Sequence, residues 1–179
     1  AGGPDGDVAG NQILNLEKYF PNTAMLITLI DVSGVIYDPS GLDLQSLKML
    51  FQEAKPIRFY PIDKLSEGGF LLDTKSEKKE ADHIVKILCT KKVNGRLIEE
   101  WLSASDAQEI VRTFVHKTSV DVFIPAGGRP GTLNQFNVAD FLDSKLKPTS
   151  KAIIEGANLY LTPEAREFLE QKGTIIIKD

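Results

Sequence analysis

Cysteine occurs once in this 179-residue chain, at Cys89, tryptophan once, at Trp101, and histidine twice, at His83 and His116. A lone cysteine excludes a disulfide within the chain and any cysteine-rich zinc site. The two histidines lie at no metal-ligand spacing from each other or from Cys89, so core or surface positions are expected for both. Positive charge is also scarce. The chain has 21 Lys and Arg against 25 Asp and Glu, a formal charge of -4 and a pI of about 5.3. Nucleic acids and anionic membranes need concentrated positive charge, so neither is expected as a main partner. No run is long and apolar enough to cross a bilayer. The first residues lack both the basic and the apolar region of a secretory signal, which points to a cytoplasmic protein. Neither a G-x-x-x-x-G-K-[ST] loop nor a G-x-S-x-G elbow is present.

What is present suffices for a folded core, with 42% hydrophobic and 26% charged residues. Asn11–Phe20 has helical apolar spacing through Ile13, Leu14, Leu16 and Phe20, and Pro21-Asn22 ends it. Ala24–Gly34 (AMLITLIDVSG) reads as a strand buried on both faces. Asp38-Pro39-Ser40-Gly41 is a turn, and Asp43 caps a helix carrying Leu44, Leu47, Leu50, Phe51 and Ala54. Residues from about 66 to 105 change character: Asn94-Gly95 between two β-favouring runs predicts an inserted antiparallel flap, with Lys75–Asp82 as a solvated loop. Trp101 is expected to pack this hairpin. Ser105-Asp106-Ala107-Gln108 has the spacing of a capping box and opens a helix through Phe114. Val120–Pro125 is a strand, Asn137–Lys145 a helix, and Lys151–Asn158 a strand with its loop. Thr162-Pro163-Glu164 opens a helix that Gly173 closes, and TIIIKD forms the last strand. This alternation predicts an α/β fold of the Rossmann-like, doubly wound parallel class. It is expected as one domain over residues 1–179, with the hairpin region inserted.

The opening stretch AGGPDGDVAG places four glycines and two aspartates in ten positions. In a dinucleotide-binding unit, a first glycine makes the turn and a second lets the backbone approach the pyrophosphate. A third, small position admits close packing of the helix that follows. Gly3, Gly6 and either Ala9 or Gly10 fit these roles with one residue inserted. Diphosphate would then meet free N–H groups at the helix N-terminus. Asp31 lies 21 residues beyond Gly10, where such units place an acid that binds the adenosine ribose and favours NAD over its phosphorylated form. Spacing alone leaves Asp31 equally readable as an ordinary turn residue. Two further glycine loops, Ala126-Gly127-Gly128-Arg129 and Glu155-Gly156-Ala157-Asn158, stand at carboxyl ends of expected strands. Ligands bind at that edge of an open α/β sheet.

Several stretches together resemble the amino-acid dehydrogenases, most closely the large NAD-dependent glutamate dehydrogenases. They are GGPDGDVAGN, SGVIYDPSGLD after the strand-end acid, LSEGGF, VDVFIPAGGRP and EGANLYLTPEA. The resemblance spans nearly the whole chain and is weakest over about residues 71 to 118. It implies the cofactor-binding part of an enzyme converting L-glutamate, NAD and water to 2-oxoglutarate, ammonia and NADH. The resemblance implies that the backbone N–H groups of Asp7 and Val8 meet the pyrophosphate beside Gly3 and Gly6. Asp31 matches the ribose-binding acid and Val32 the adjacent adenine-side position. Ala126 and Gly127 match the loop beside the nicotinamide ribose, which Asn158 also reaches. Arg129 belongs to the pattern without an assigned role.

The family's catalytic lysine, aspartate and glutamate-binding residues lie in a separate substrate domain, and nothing in this sequence matches them. The resemblance therefore implies a piece of a longer homo-oligomeric enzyme, inactive by itself and without the strand that leads into Gly2. The sequence is also compatible with two other readings: a nucleotide-sensing regulatory module without redox chemistry, and a structural domain whose glycine loops are only turns.

Overall fold

The computed structural model describes residues 2–178, apart from the side chain of Asp82. The chain divides into two compact units, one spanning Gly3–Arg112 and the other formed by residues from Thr113 onward together with Gly2.

The first unit opens with helix α1 (Asp7–Tyr19). It starts four residues before the expected helix and buries Ala9, Gly10 and Ile13, while Phe20 just beyond it is exposed. Two short strands follow, β1 (Thr28–Asp31) and β2 (Gly34–Tyr37), paired antiparallel with Asp31 opposite Gly34. The expected doubly buried strand over Ala24–Gly34 is thus one arm of a hairpin whose turn is Val32-Ser33. The reversal is made by the Asp31 carboxylate, which accepts the Ser33 N–H at 2.6 Å, and by Gly34 at φ +148°. That reversal puts β2 antiparallel to β1, because two residues are far too few for a parallel crossover.

Helix α2 (Leu44–Gln52) is capped by Asp43, whose carboxylate accepts the Ser46 N–H at 3.0 Å. Strands β3 (Phe70–Lys79), β4 (Val85–Val93) and β5 (Arg96–Ser103) complete a five-stranded sheet in the order β1-β2-β3-β4-β5, antiparallel throughout. Asn94-Gly95 makes the β4–β5 turn as the sequence predicts, with Asn94 at φ +51° and Gly95 at φ +72°. The hairpin is continuous with the first strands rather than a separate flap. Lys75–Lys79, expected as loop, extends β3 with mostly exposed side chains. Trp101 lies on β5 opposite Leu88, and the Lys78 ammonium stands 5.9 Å from its ring centre.

Nine buried residues of this unit, among them Ile13, Ile36, Leu47, Leu50 and Ile57, pack into one core cluster. Removing side chains of this size from water contributes about 1.5–3 kcal/mol each. Cys89 is buried in the sheet, and desolvation pushes its thiol up to about 11. Helix α3 (Ala104–Lys117) begins one residue before the expected cap. The capping hydroxyl belongs to Ser103, which accepts the Asp106 N–H at 3.1 Å and bonds the Asp106 carboxylate at 2.6 Å.

The second unit holds β6 (Val120–Phe123), β7 (Ser150–Ile154), α4 (Pro163–Gln171) and β8 (Ile175–Ile177). Its three strands are parallel in that order, which is the parallel α/β arrangement expected. Thr162 caps α4, accepting the Ala165 N–H at 3.3 Å, with Pro163 in the first turn. Asn137–Lys145, expected to be helical, forms only a 3₁₀ turn over Val138–Phe141. The Asn137 carboxamide takes the Asn134 N–H at 2.8 Å and donates to Thr132 at 2.8 Å, while Asp143 accepts the N–H groups of Lys145 and Lys147. These local bonds compete with an α-helix. His116 lies in this unit's core with Phe123, Phe141 and Tyr160, its Nε2 3.0 Å from the Tyr160 hydroxyl. His83 is exposed.

Candidate functional site

Gly6 is the N-cap of α1 and supplies no side chain to satisfy the first N–H groups of the helix. This differs from α2 and α4, where Asp43 and Thr162 accept a first-turn N–H. The preceding turn is closed by Gly6 N–H donating to the Gly3 carbonyl at 3.0 Å. Asp7 and Val8 begin the helix and are exposed. The result is a 13-residue helix whose positive dipole end presents uncapped donors.

Close approach explains two of the glycines. An ideal Cβ on Gly10 would stand 2.1 Å from the Phe51 ring and 2.7 Å from the Pro4 carbonyl. Of the two packing candidates, Gly10 is therefore where α1 meets α2, although Ala9 is buried as well. A Cβ on Gly3 would stand 2.6 Å from Asp31 Oδ2 and 2.9 Å from Asp31 Cβ. The structure thus brings the glycine turn and the strand-end acid together.

Asp31 is held by three donors. Oδ1 accepts the Ser33 N–H and hydroxyl, both at 2.6 Å, and Oδ2 accepts the Ile57 N–H at 2.8 Å. An ionised carboxylate has about four acceptor positions, so one remains, on Oδ2 against Gly3. Ser33 in turn accepts the Arg58 N–H at 3.2 Å. Val32, at the tip of the hairpin, is 82% exposed. Ser33, Ile57 and Arg58 were not visible as site residues in the sequence. Only the Asp31-x-Ser33 spacing, that of a side-chain-closed turn, carried a local signal.

In the second unit, the two glycine loops follow β6 and β7 at their carboxyl ends and are tied together. Gly156 N–H donates to Pro125 at 3.1 Å, Gly131 N–H to Leu159 at 2.8 Å, and Leu133 N–H to Tyr160 at 3.0 Å. Gly2, with φ +137°, lies against Ala126 and Gly127, where a Cβ would stand 2.8 Å from the Ala126 carbonyl group. Asn158 is exposed at the turn of its loop, and its carboxamide has no hydrogen-bond partner among the described residues. Glu155 holds that loop from beneath. It is buried, accepts the Leu161 N–H at 3.0 Å and pairs with Arg166 of α4. Sequence reasoning noticed Glu155 only as part of a motif. Arg129 is exposed and its N–H donates to Thr132.

The same motifs place the chain among known proteins. The profile of the Glutamate/Leucine/Phenylalanine/Valine dehydrogenase family matches residues 1–179. The chain is 37% identical over 180 residues to a probable NAD-specific glutamate dehydrogenase of Schizosaccharomyces pombe. It is 36% identical to the NAD-specific glutamate dehydrogenase of Saccharomyces cerevisiae and 34% identical to glutamate dehydrogenase 2 of Dictyostelium discoideum. Each match covers 99% of this chain but only 14–15% of the relative. With the whole sequence inside one family profile and its glycine corners built as described, the chain belongs to the Glutamate/Leucine/Phenylalanine/Valine dehydrogenase family.

Proposed function

We propose that this chain is the cofactor-holding part of an NAD-dependent glutamate dehydrogenase, which oxidises L-glutamate to 2-oxoglutarate and ammonia. The observation that carries the reading is the corner made by Gly3, the uncapped start of α1 and Asp31. These residues fit a dinucleotide: a diphosphate supplies the acceptors that the helix start lacks, and Asp31 keeps an acceptor for a sugar hydroxyl. Gly3 and Gly6 leave room for the backbone to approach. Asp7 and Val8 would offer their N–H groups to the diphosphate, and Val32 its exposed apolar surface to the adenine. Ala126, Gly127 and Asn158 would line the nicotinamide ribose, with Glu155 and Arg166 fixing the loop that carries Asn158. The nicotinamide, when bound, accepts the hydride from the substrate α-carbon. The task of this chain is to hold and orient it, and no residue here is assigned a proton-transfer step. Substrate binding and catalysis belong to a further domain, and closure of a cleft between domains would exclude water. A cytoplasmic homo-oligomer is the working form we propose.

In the protein at full native length, NAD titration is expected to saturate, and L-glutamate is expected to drive NADH formation. Replacing Asp31 by alanine should weaken NAD binding by about tenfold, the worth of a charge-assisted hydrogen bond. Saturable NAD binding without any glutamate-dependent reduction would favour the sensing module. Absence of binding would favour a structural domain.

A further inference from the structure

Asp31, Gly34 and Asp73 stand opposite one another across β1, β2 and β3. Residues in register on neighbouring strands share a sheet face. The middle position is a glycine, so no side chain separates the two acids. Both carboxylates turn towards the 3₁₀ turn Ile57–Phe59, each held by a different residue of it. Ile57 N–H donates to Asp31 at 2.8 Å, and the Arg58 guanidinium pairs with Asp73, Nη2 to Oδ2, at 3.0 Å. The Arg58 N–H is itself linked to Asp31 through two hydrogen bonds, by way of the Ser33 hydroxyl. Asp73 is further braced by the Lys75 N–H at 2.9 Å and the Ser76 hydroxyl at 2.8 Å. The pair is largely buried, with side chains 29% and 12% exposed.

An arginine beside the ribose acid is the residue type that accommodates a 2′-phosphate, because its planar fork matches phosphate oxygens. Here such an arginine is present and already committed to a second acid. We propose that Asp73 sets cofactor selectivity by holding Arg58 away from the ribose corner, so that a 2′-phosphate there would meet the Asp31 carboxylate and not the Arg58 guanidinium. The proposal rests on the reading that Asp31 binds the adenosine ribose. Asp73 acts through Arg58 and is a positioning residue. It makes a discriminating device from groups that sequence spacing does not join.

The test is calorimetric titration of NAD and NADP into the protein at full native length, for the parent, Asp73→Asn and Asp73→Asn/Arg58→Ala. Asparagine keeps one oxygen to accept the Lys75 N–H, and its amide group can donate to the Ser76 hydroxyl, while the charge that holds Arg58 is removed. The Kd ratio of NAD to NADP is expected to move about tenfold towards NADP in Asp73→Asn. It is expected to return to the parent value when Arg58 is also removed. An unchanged ratio in Asp73→Asn overturns the proposal, and so does a gain that persists without Arg58. Should Asp73→Asn not fold, Asp73→Ser carries the same comparison. A parent protein that binds NAD but shows no change in these variants refutes only the role of Asp73. A parent that binds no NAD refutes the functional reading itself.

Discussion

Replacing Gly3 by alanine is expected to weaken NAD binding about 100-fold, roughly 2.7 kcal/mol, the largest loss from removing no functional group. The added methyl would stand 2.3 Å from Asp5 Oδ1, 2.6 Å from Asp31 Oδ2 and 2.9 Å from Asp31 Cβ. The Asp5 carboxylate can swing away, but the Cβ of Asp31 is fixed by its strand. Turning the Asp31 side chain would free only Oδ2, at the cost of its bonds to Ser33 and Ile57, so the Gly3 backbone must also move off the Asp31 Cβ. The same movement shifts the turn whose Gly3 carbonyl accepts the Gly6 N–H, and with it the start of α1. Both ends of the corner fail together, so the effect exceeds that of Asp31→Ala. Isothermal titration checks the affinity, and circular dichroism checks that the variant is folded. Binding within about threefold of the parent would contradict the account.

The largest effect on stability is expected from Asp38→Ala. Asp38 is fully buried, and its carboxylate accepts the Ser40 N–H at 2.9 Å, the Ser66 N–H at 2.7 Å and the Ser66 hydroxyl. It therefore ties the turn after β2 to the loop before β3, joining two of the motifs that carry the family resemblance. Glu67, next in that loop, accepts the N–H groups of Gly95 and Asn94 at the β4–β5 turn. Those two bonds hold its carboxyl below the usual range, the Gly95 bond contributing most. Truncating Asp38 leaves two backbone donors and one hydroxyl without their acceptor, a loss of about 3–5 kcal/mol. Urea denaturation should register it as a lower midpoint with little change in slope. Asp38→Asn, which retains one acceptor, should lose less. A change below about 1 kcal/mol in Asp38→Ala would show that the latch is not what holds these loops.

Legibility from sequence follows the range of the forces involved. Helix α4 is readable because its signals are local: Thr162 caps it, Pro163 opens it, and Gly173 at φ +93° follows it. The β4–β5 hairpin is readable because Asn94-Gly95 supplies the positive φ values that the turn demands. The β1–β2 hairpin is not, since Val32-Ser33 carries no such preference and the turn depends on the Asp31 side chain. Its failure as a sequence signal made Ala24–Gly34 look like one long buried strand. The glycine corner was legible as a pattern because each role demands a residue without a side chain. What surrounds Asp31 was not, because Ile57 and Arg58 arrive 26 and 25 residues away from their Asp31 and Ser33 acceptors. Asp38 and Ser66 meet across 28 residues for the same reason: chain folding, and no local rule, joins them.

A crystal structure of the full-length protein with NAD tests the central claim most directly. The account predicts the diphosphate against the N–H groups of Asp7 and Val8, with an adenosine ribose hydroxyl donating to Asp31 Oδ2 beside Gly3. An adenosine bound elsewhere, with Asp31 still bonded only to Ser33 and Ile57, would contradict it.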